Sequence, residues 1–240
     1  MFKNKKVIIF DLDGTLFNST DMWDIIDTEV VRRLSGNTYK NISEKREEYL
    51  VKNRTGDTYL GVAEHLKDSY NLEATAQQIH ELRFSLVNKY SAYIVDFKKG
   101  ADQFIHLAKK NGFILVIASL TKRSIMDIYQ TQNEKIKTKC NMKDTFDLMI
   151  LKDEVYKNKP DPEIFLKVLN KLNVLPQDCI ILEDSLSGIQ AASSAGIEVI
   201  NIYDKHSDNK REEINQLATY CIKDYQELIE ILELEFTKIR

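Results

Sequence analysis

The sequence is short of the residues that break or staple a chain. Three prolines and eight glycines in 240 residues favour helix over an architecture built from many turns. The three cysteines, Cys140, Cys179 and Cys221, lie far apart and form no C-x-x-C pair. That spacing argues against a disulfide scaffold and reads as reduced, packed side chains of a cytoplasmic protein. No apolar run approaches the length of a membrane span. The run beginning at Val7 meets Asp11 too early for a secretory h-region. Lysine and arginine are spread along the chain with no basic block, and the net charge is −3, so nothing points to nucleic acid. Internal repeats and low-complexity segments are absent as well. What is present, 43% hydrophobic and 30% charged residues, is a globular composition. The length suits one large domain or two smaller ones.

The stretch that organises the chain is KKVIIFDLDGTLFNS, Lys5 to Ser19. An apolar run, Val7 to Phe10, bounded by a glycine reads as a buried strand. Residues i and i+2 of a strand share a face, so Asp11 and Asp13 can project toward one spot where the strand ends. Gly14 permits a sharp turn and close approach of a ligand. Ligands of open α/β sheets sit at the carboxyl ends of strands. Two acids there require a counter-charge, and Mg²⁺, which takes one or two carboxylates plus phosphate oxygens, supplies it.

After this strand, residues 19–93 read as an all-helical insertion. Met22, Ile25, Ile26, Val30 and Leu34 keep helical spacing, with Ser19 or Thr20 as N-cap and Gly36 as stop. A second helix is expected over Ser43–Lys52, then a break at Asn53–Tyr59, a third helix through Leu66, and a fourth opened by the capping-box pair Thr75 and Gln78. From about Tyr93 strands alternate with helices. Strands are expected at Phe113–Ala118, Phe146–Leu151, Cys179–Leu182, Ile197–Tyr203 and Tyr220–Ile222. A polar linker is expected before Asp144, and a helix N-capped by Asp161 with Pro162 at its first position. The pattern predicts an α/β protein: a doubly wound, Rossmann-like parallel sheet formed by residues 1–18 and 94–240, with a helical cap, 19–93, placed to be a lid.

Four strand ends or nearby loops carry polar groups: Asp11 and Asp13, Ser119, Lys159, and Glu183 with Asp184. Together they offer what phosphoryl transfer needs: a nucleophile, a metal site, a cation and a hydroxyl donor. DLDGT at Asp11–Thr15, ASLT at Ala118–Thr121, KP at Lys159–Pro160 and LEDS at Leu182–Ser185 resemble, in order and spacing, the four motifs of the haloacid dehalogenase superfamily, in its phosphatase and phosphomutase branch. The insertion resembles that family's helical C1 cap.

The resemblance implies a Mg²⁺-dependent enzyme. Asp11 would attack phosphorus and form an aspartyl-phosphate. Asp13 would protonate the leaving oxygen and then activate water. Asp11, the Asp13 carbonyl and Asp184 would hold Mg²⁺, with Glu183 acting directly or through water. Ser119 and Lys159 would hold the phosphoryl group, with Leu120 and Lys122 as further phosphate contacts, and Gly14 and Thr15 would support the loop. The acid at position 13 argues against carbon–halogen cleavage, because the dehalogenases of the superfamily lack it.

Arg54, in the break, and Trp23 are the candidates for substrate contact from the cap. The expected substrate is a small phosphorylated metabolite, such as a sugar phosphate, and the expected assembly a monomer or weak homodimer, with no membrane or nucleic-acid partner. A sugar phosphomutase like β-phosphoglucomutase is the alternative. It shares the E-D-S form of the fourth motif but usually has Val or Ile where Thr15 stands. More remote is a non-enzymatic phospho-aspartate switch or binding protein.

Overall fold

The computed structural model describes residues 1–53 and 58–237. The chain divides into two compact units, Met1–Asn18 with Asp96–Arg240, and Ser19–Val95.

The Ser19–Val95 unit comprises helices α1 (Thr20–Ser35), α2 (Ile42–Lys52), α3 (Thr58–Tyr70) and α4 (Ala76–Tyr93). Gly36, at φ 71°, ends α1 in the left-handed conformation that glycine adopts without strain. Thr75 and Gln78 form the full reciprocal cap of α4: Gln78 N–H donates to Thr75 Oγ1 (3.2 Å) and Thr75 N–H to Gln78 Oε1 (2.9 Å). Ile26, Val30, Val62, Ala63, Leu66, Ile79 and Val87 form the apolar interior. A charged group is buried among them. Asp27, fully buried on α1, accepts from Arg83 Nε of α4 (2.7 Å) and Arg46 Nη1 of α2 (3.3 Å). Arg46 also pairs with Asp24 (2.8 Å). Trp23 lies beside the Tyr59 ring (5.8 Å) and under the Arg83 guanidinium (5.5 Å). Arg54 lies outside the described residues.

In the other unit a six-stranded, all-parallel sheet has the order β3-β2-β1-β4-β5-β6: β1 (Val7–Phe10), β2 (Ile114–Ala118), β3 (Leu148–Ile150), β4 (Cys179–Glu183), β5 (Glu198–Ile202) and β6 (Tyr220–Ile222). β1 is central and wholly buried, with Ile9 opposite Val116 and Ile181. The winding direction changes between β1 and β4, which makes their carboxyl ends the switch point where α/β proteins bind ligands.

Helices α5 (Ala101–Lys110), α6 (Arg123–Thr131), α7 (Glu134–Lys139), α8 (Met142–Thr145), α9 (Glu163–Leu172), α10 (Leu186–Ser194), α11 (Arg211–Leu217) and α12 (Tyr225–Thr237) belong to the same unit, with 3-10 turns at Lys152–Glu154, Pro176–Asp178 and Lys205–Lys210. Val7 and Ile9 pack with Phe165, Ile189 and Ile214 of α9, α10 and α11. Phe10 points oppositely, toward Phe104 of α5 (6.1 Å) and Phe146 (5.8 Å). Burial of each such side chain contributes roughly 1.5–3 kcal/mol. Where the chain of this unit leaves and returns, two segments are stitched together. Asn18 N–H donates to Asp96 O (2.9 Å), Lys98 N–H to Leu16 O (2.8 Å), and Phe17 stacks edge-on with Phe97 (5.0 Å).

Three expectations need correction. The region before Asp144 is not linker but two short helices: Asn133 Oδ1 caps α7 by accepting from Ile136 N–H (3.0 Å), and buried Ile136 and Met142 anchor the pair. Pro162, not Asp161, is the boundary residue of α9, although Asp161 Oδ1 still accepts from Glu163 N–H (3.0 Å). Cys140 and Cys179 are buried, but Cys221 is exposed because its position on β6 faces outward.

Candidate active site

Asp11 follows β1 directly, and its N–H donates to Leu182 O of β4 (3.1 Å), so the sheet ladder itself fixes where its side chain starts. The chain then turns tightly. Gly14 takes φ 81°, its N–H donates to Phe17 O (3.0 Å), and Phe17 N–H donates to Leu12 O (2.8 Å). A side chain at that φ would be strained.

Lys159 joins the ends of β1 and β4. Its Nζ donates to Asp11 Oδ1 (2.7 Å), Glu183 Oε1 (2.7 Å) and Ala118 O (3.2 Å). The remaining Glu183 oxygen, Oε2, accepts from Asp184 N–H (2.9 Å), Ser185 N–H (3.0 Å) and Ser185 Oγ (3.1 Å). Glu183 is thus occupied on both oxygens. A neighbouring carboxylate, Asp184, accepts from Thr15 Oγ1 on Oδ1 (2.8 Å), and the Thr15 carbonyl accepts from Tyr225 Oη (3.2 Å). Asp13 turns toward the end of β2, where Thr121 Oγ1 donates to its Oδ2 (2.7 Å) and the Ser119 hydroxyl lies 3.1 Å from that of Thr121. Leu120 packs its side chain against the core, and Lys122 is the half-buried boundary residue of α6.

The electrostatics follow from burial. Asp11, Glu183, Asp184 and Lys159 are all buried, leaving three carboxylates to one ammonium. Burial pushes the Asp11 carboxyl up to about 7, against the pull of Lys159 and helped by Glu183. Burial, then Glu183 and Asp11, likewise hold Asp184 well above the usual carboxylate range. Lys159 loses by burial but gains more from Asp11 and Glu183, and its ammonium is held firmly protonated. Surplus buried negative charge of this kind suits a divalent cation. Among the described residues no three His, Cys, Asp or Glu side chains converge into a ready-made metal cage. Mg²⁺ does not need one, since it binds through one or two carboxylates and keeps water or phosphate oxygens for the rest. The donor set fits that ion.

Three residues that sequence reasoning passed over belong to this arrangement. Thr121 lies inside the quoted ASLT stretch, and its bond to Asp13 shows only in three dimensions. Tyr225 reaches Thr15 from the far end of the chain, and nothing local signals it. Gly188 does carry a signal, a glycine inside a helical pattern. A Cβ there would overlap Glu183 Oε1 and Cδ, so only glycine lets the first turn of α10 close over that carboxylate.

A doubly wound sheet with paired acids, a lysine and a second acidic pair gathered at its switch point is the architecture of an α/β enzyme. The family model of haloacid dehalogenase-like hydrolases matches residues 8–202, and the chain belongs to that family. It is similar to the phosphorylated carbohydrates phosphatase of Thermotoga maritima, 29% identical over 231 residues, which cover 95% of this chain and 98% of the relative. It is 25% identical over 194 residues to hexitol phosphatase B of Escherichia coli K12, covering 80% and 81% of the two chains. Its fold matches that of β-phosphoglucomutase from Clostridium difficile, with a TM-score of 0.68, 21% identity and 98% of each chain covered.

Proposed function

We propose that the protein is a Mg²⁺-dependent phosphatase of small phosphorylated metabolites, with sugar phosphates as the favoured class, working through a phosphorylated aspartate. The observation that carries this reading is Asp11 itself: an acid at the end of the central strand, tied by Lys159 to a buried acidic pair. The named activities of the Thermotoga and Escherichia relatives favour phosphorylated carbohydrates as substrates.

In the proposed reaction an Asp11 oxygen attacks phosphorus, the bond from phosphorus to the ester oxygen breaks, and Asp13 gives its proton to that oxygen. Asp13 then takes a proton from water, whose oxygen attacks the same phosphorus and releases inorganic phosphate and free Asp11. Thr121 holds Asp13 through its hydroxyl and sets the direction of the carboxyl. Ser119, Lys159 and the backbone around Leu120 are assigned to the phosphoryl oxygens, with Lys122 as a further contact. Mg²⁺ would be held by Asp11, the Asp13 carbonyl and Asp184, and would supply charge compensation between the anionic nucleophile and the anionic phosphate. Glu183, engaged on both oxygens, is assigned to anchoring Lys159 and the turn into α10. Thr15 serves the site by fixing Asp184.

Substrate choice is assigned to the inserted helical unit, with Arg54 and Trp23 as its candidates. A cytoplasmic location and a monomer or weak homodimer belong to the same proposal. Among the described residues no helix is long and apolar enough to cross a membrane.

The decisive experiment supplies Mg²⁺ with a panel of phosphate monoesters, β-glucose 1-phosphate among them, and follows products. Phosphate release that falls at least about 10³-fold in Asp11→Asn is the expected result. Glucose 6-phosphate formed without matching phosphate release would replace the phosphatase with a sugar phosphomutase. Release undiminished in Asp11→Asn would remove Asp11 from the chemistry.

A further inference from the structure

Strand β5 reads Glu198-Val199-Ile200-Asn201-Ile202, and Asn201 is an amide buried to 1% exposure among Val and Ile. An amide buried there is costly unless its hydrogen-bonding groups are satisfied. The register places it opposite Glu183 of β4. Its Nδ2 donates to Glu183 O (3.2 Å) and Asp184 O (3.3 Å).

Those two carbonyls belong to the peptide planes on either side of the Asp184 Cα. One amide that grips both planes fixes the backbone torsions at that Cα, and with them the direction in which the Asp184 side chain departs. The amide is itself held. Its Oδ1 accepts from Arg211 Nη1 (2.9 Å), and Arg211 Nη2 donates to Asp204 O (2.8 Å) and Asp208 Oδ1 (3.1 Å). The guanidinium lies 4.6 Å from the Tyr203 ring centroid. Asp204 is braced by Lys98 Nζ (2.8 Å) and by His206 N–H (3.0 Å). A chain of specific bonds therefore runs from the end of β5 to the backbone of the acidic pair, while Thr15 holds the Asp184 carboxylate from the other side.

We propose that Asn201, oriented by Arg211, is a positioning residue that aims the Asp184 carboxylate at the divalent cation. This rests on the reading that Asp184 helps to hold that cation. Partners one step removed from a ligand typically change metal affinity by about 10–100-fold when lost.

The test measures Mn²⁺ binding to the full chain by electron paramagnetic resonance, without substrate, in wild type, Asn201→Ala and Arg211→Gln. Half-saturating Mg²⁺ and the KM for 4-nitrophenyl phosphate are measured on the same preparations, and circular dichroism reports folding. Asn201→Ala is expected to weaken Mn²⁺ binding about tenfold or more and to raise half-saturating Mg²⁺ by a similar factor. The KM at saturating Mg²⁺ should change by less than about twofold, because Asn201 touches no group assigned to phosphate. Arg211→Gln, which leaves the amide but loosens its orientation, should shift both cation readouts in the same direction and less. It decides the matter if Asn201→Ala fails to fold. Wild-type Mn²⁺ affinity in folded variants would overturn the positioning role and leave the phosphatase reading intact. Wild type that binds no Mn²⁺ would overturn the cation reading and the inference with it, and would be evident before any variant is made.

Discussion

Both units bury charge, and they do so in opposite ways. In the helical unit Asp27 lies between Arg83 and Arg46, and Arg46 also meets Asp24, so two acids face two guanidiniums. In the sheet unit the buried Lys159 is shared by Asp11 and Glu183, while Asp184, pushed on by both acids, is drawn the other way by Lys98, which is itself paired with Asp204. A balanced buried cluster is complete and serves to hold helices in register. An unbalanced one is raised in free energy until something positive joins it, which is what a binding site requires.

The balanced cluster of the helical unit is the more damaging one to disturb. Asp27→Ala leaves Arg83 buried without its carboxylate and should cost about 3–5 kcal/mol of stability, read by urea denaturation. A change below about 1 kcal/mol would mean that the ionic group does not hold α1 to α4. At the other end, Gly188→Ala pushes a methyl group into the Glu183 carboxylate, which Lys159 and three donors fix in place. A displacement of about 1 Å relayed to a reacting group can cost about 10²-fold, so in the proposed reaction kcat should fall by up to that factor, with a smaller loss of stability. Wild-type kcat would show that Glu183 yields easily.

The smallest effect concerns a carboxylate outside both clusters. Burial opposes ionisation of Glu163, but Lys167 and the N–H groups of Lys157 and Tyr156 hold its pKa at about 2, below the ordinary 4.5. A depressed folded-state pKa contributes stability in full above the unfolded value and loses it as pH falls through the folded one. The stability difference between wild type and Glu163→Gln should therefore be constant above pH 4.5 and vanish toward pH 2. Acid titrations followed by circular dichroism check this, and a difference that grows on acidification would refute it.

Much of this was legible because strands announce themselves. The apolar runs at Val7, Ile114 and Cys179 each end in a polar residue, and parallel strands that start on one edge of a sheet must deliver their ends to the other. Asp11, Ser119 and Glu183 were therefore expected on one rim from pattern alone, and Ser119, Lys159 and the acidic pair lie there. The pairings within the rim were not legible. Nothing in sequence says that Thr121 would reach Asp13, or that Tyr225 would support Thr15, because such bonds depend on side-chain directions set by distant packing. The short helices before Asp144 escaped for another reason. Six- and four-residue helices carry too few apolar positions to show a period, and their stability comes from Ile136 and Met142 being buried.

The stitched neck at Asn18 and Asp96 has a bearing on how such a chain can change over generations. The sheet unit closes its own boundary: a backbone bond joins the two residues between which the helices are inserted, and Phe17 and Phe97 seal it. Whatever the chain does between those two points, the strands of the core receive it through the same fixed pair of ends. The insertion behaves like a cartridge in a standard socket. Lengthening it, shortening it or exchanging it asks nothing new of the strand that ends at Asp11.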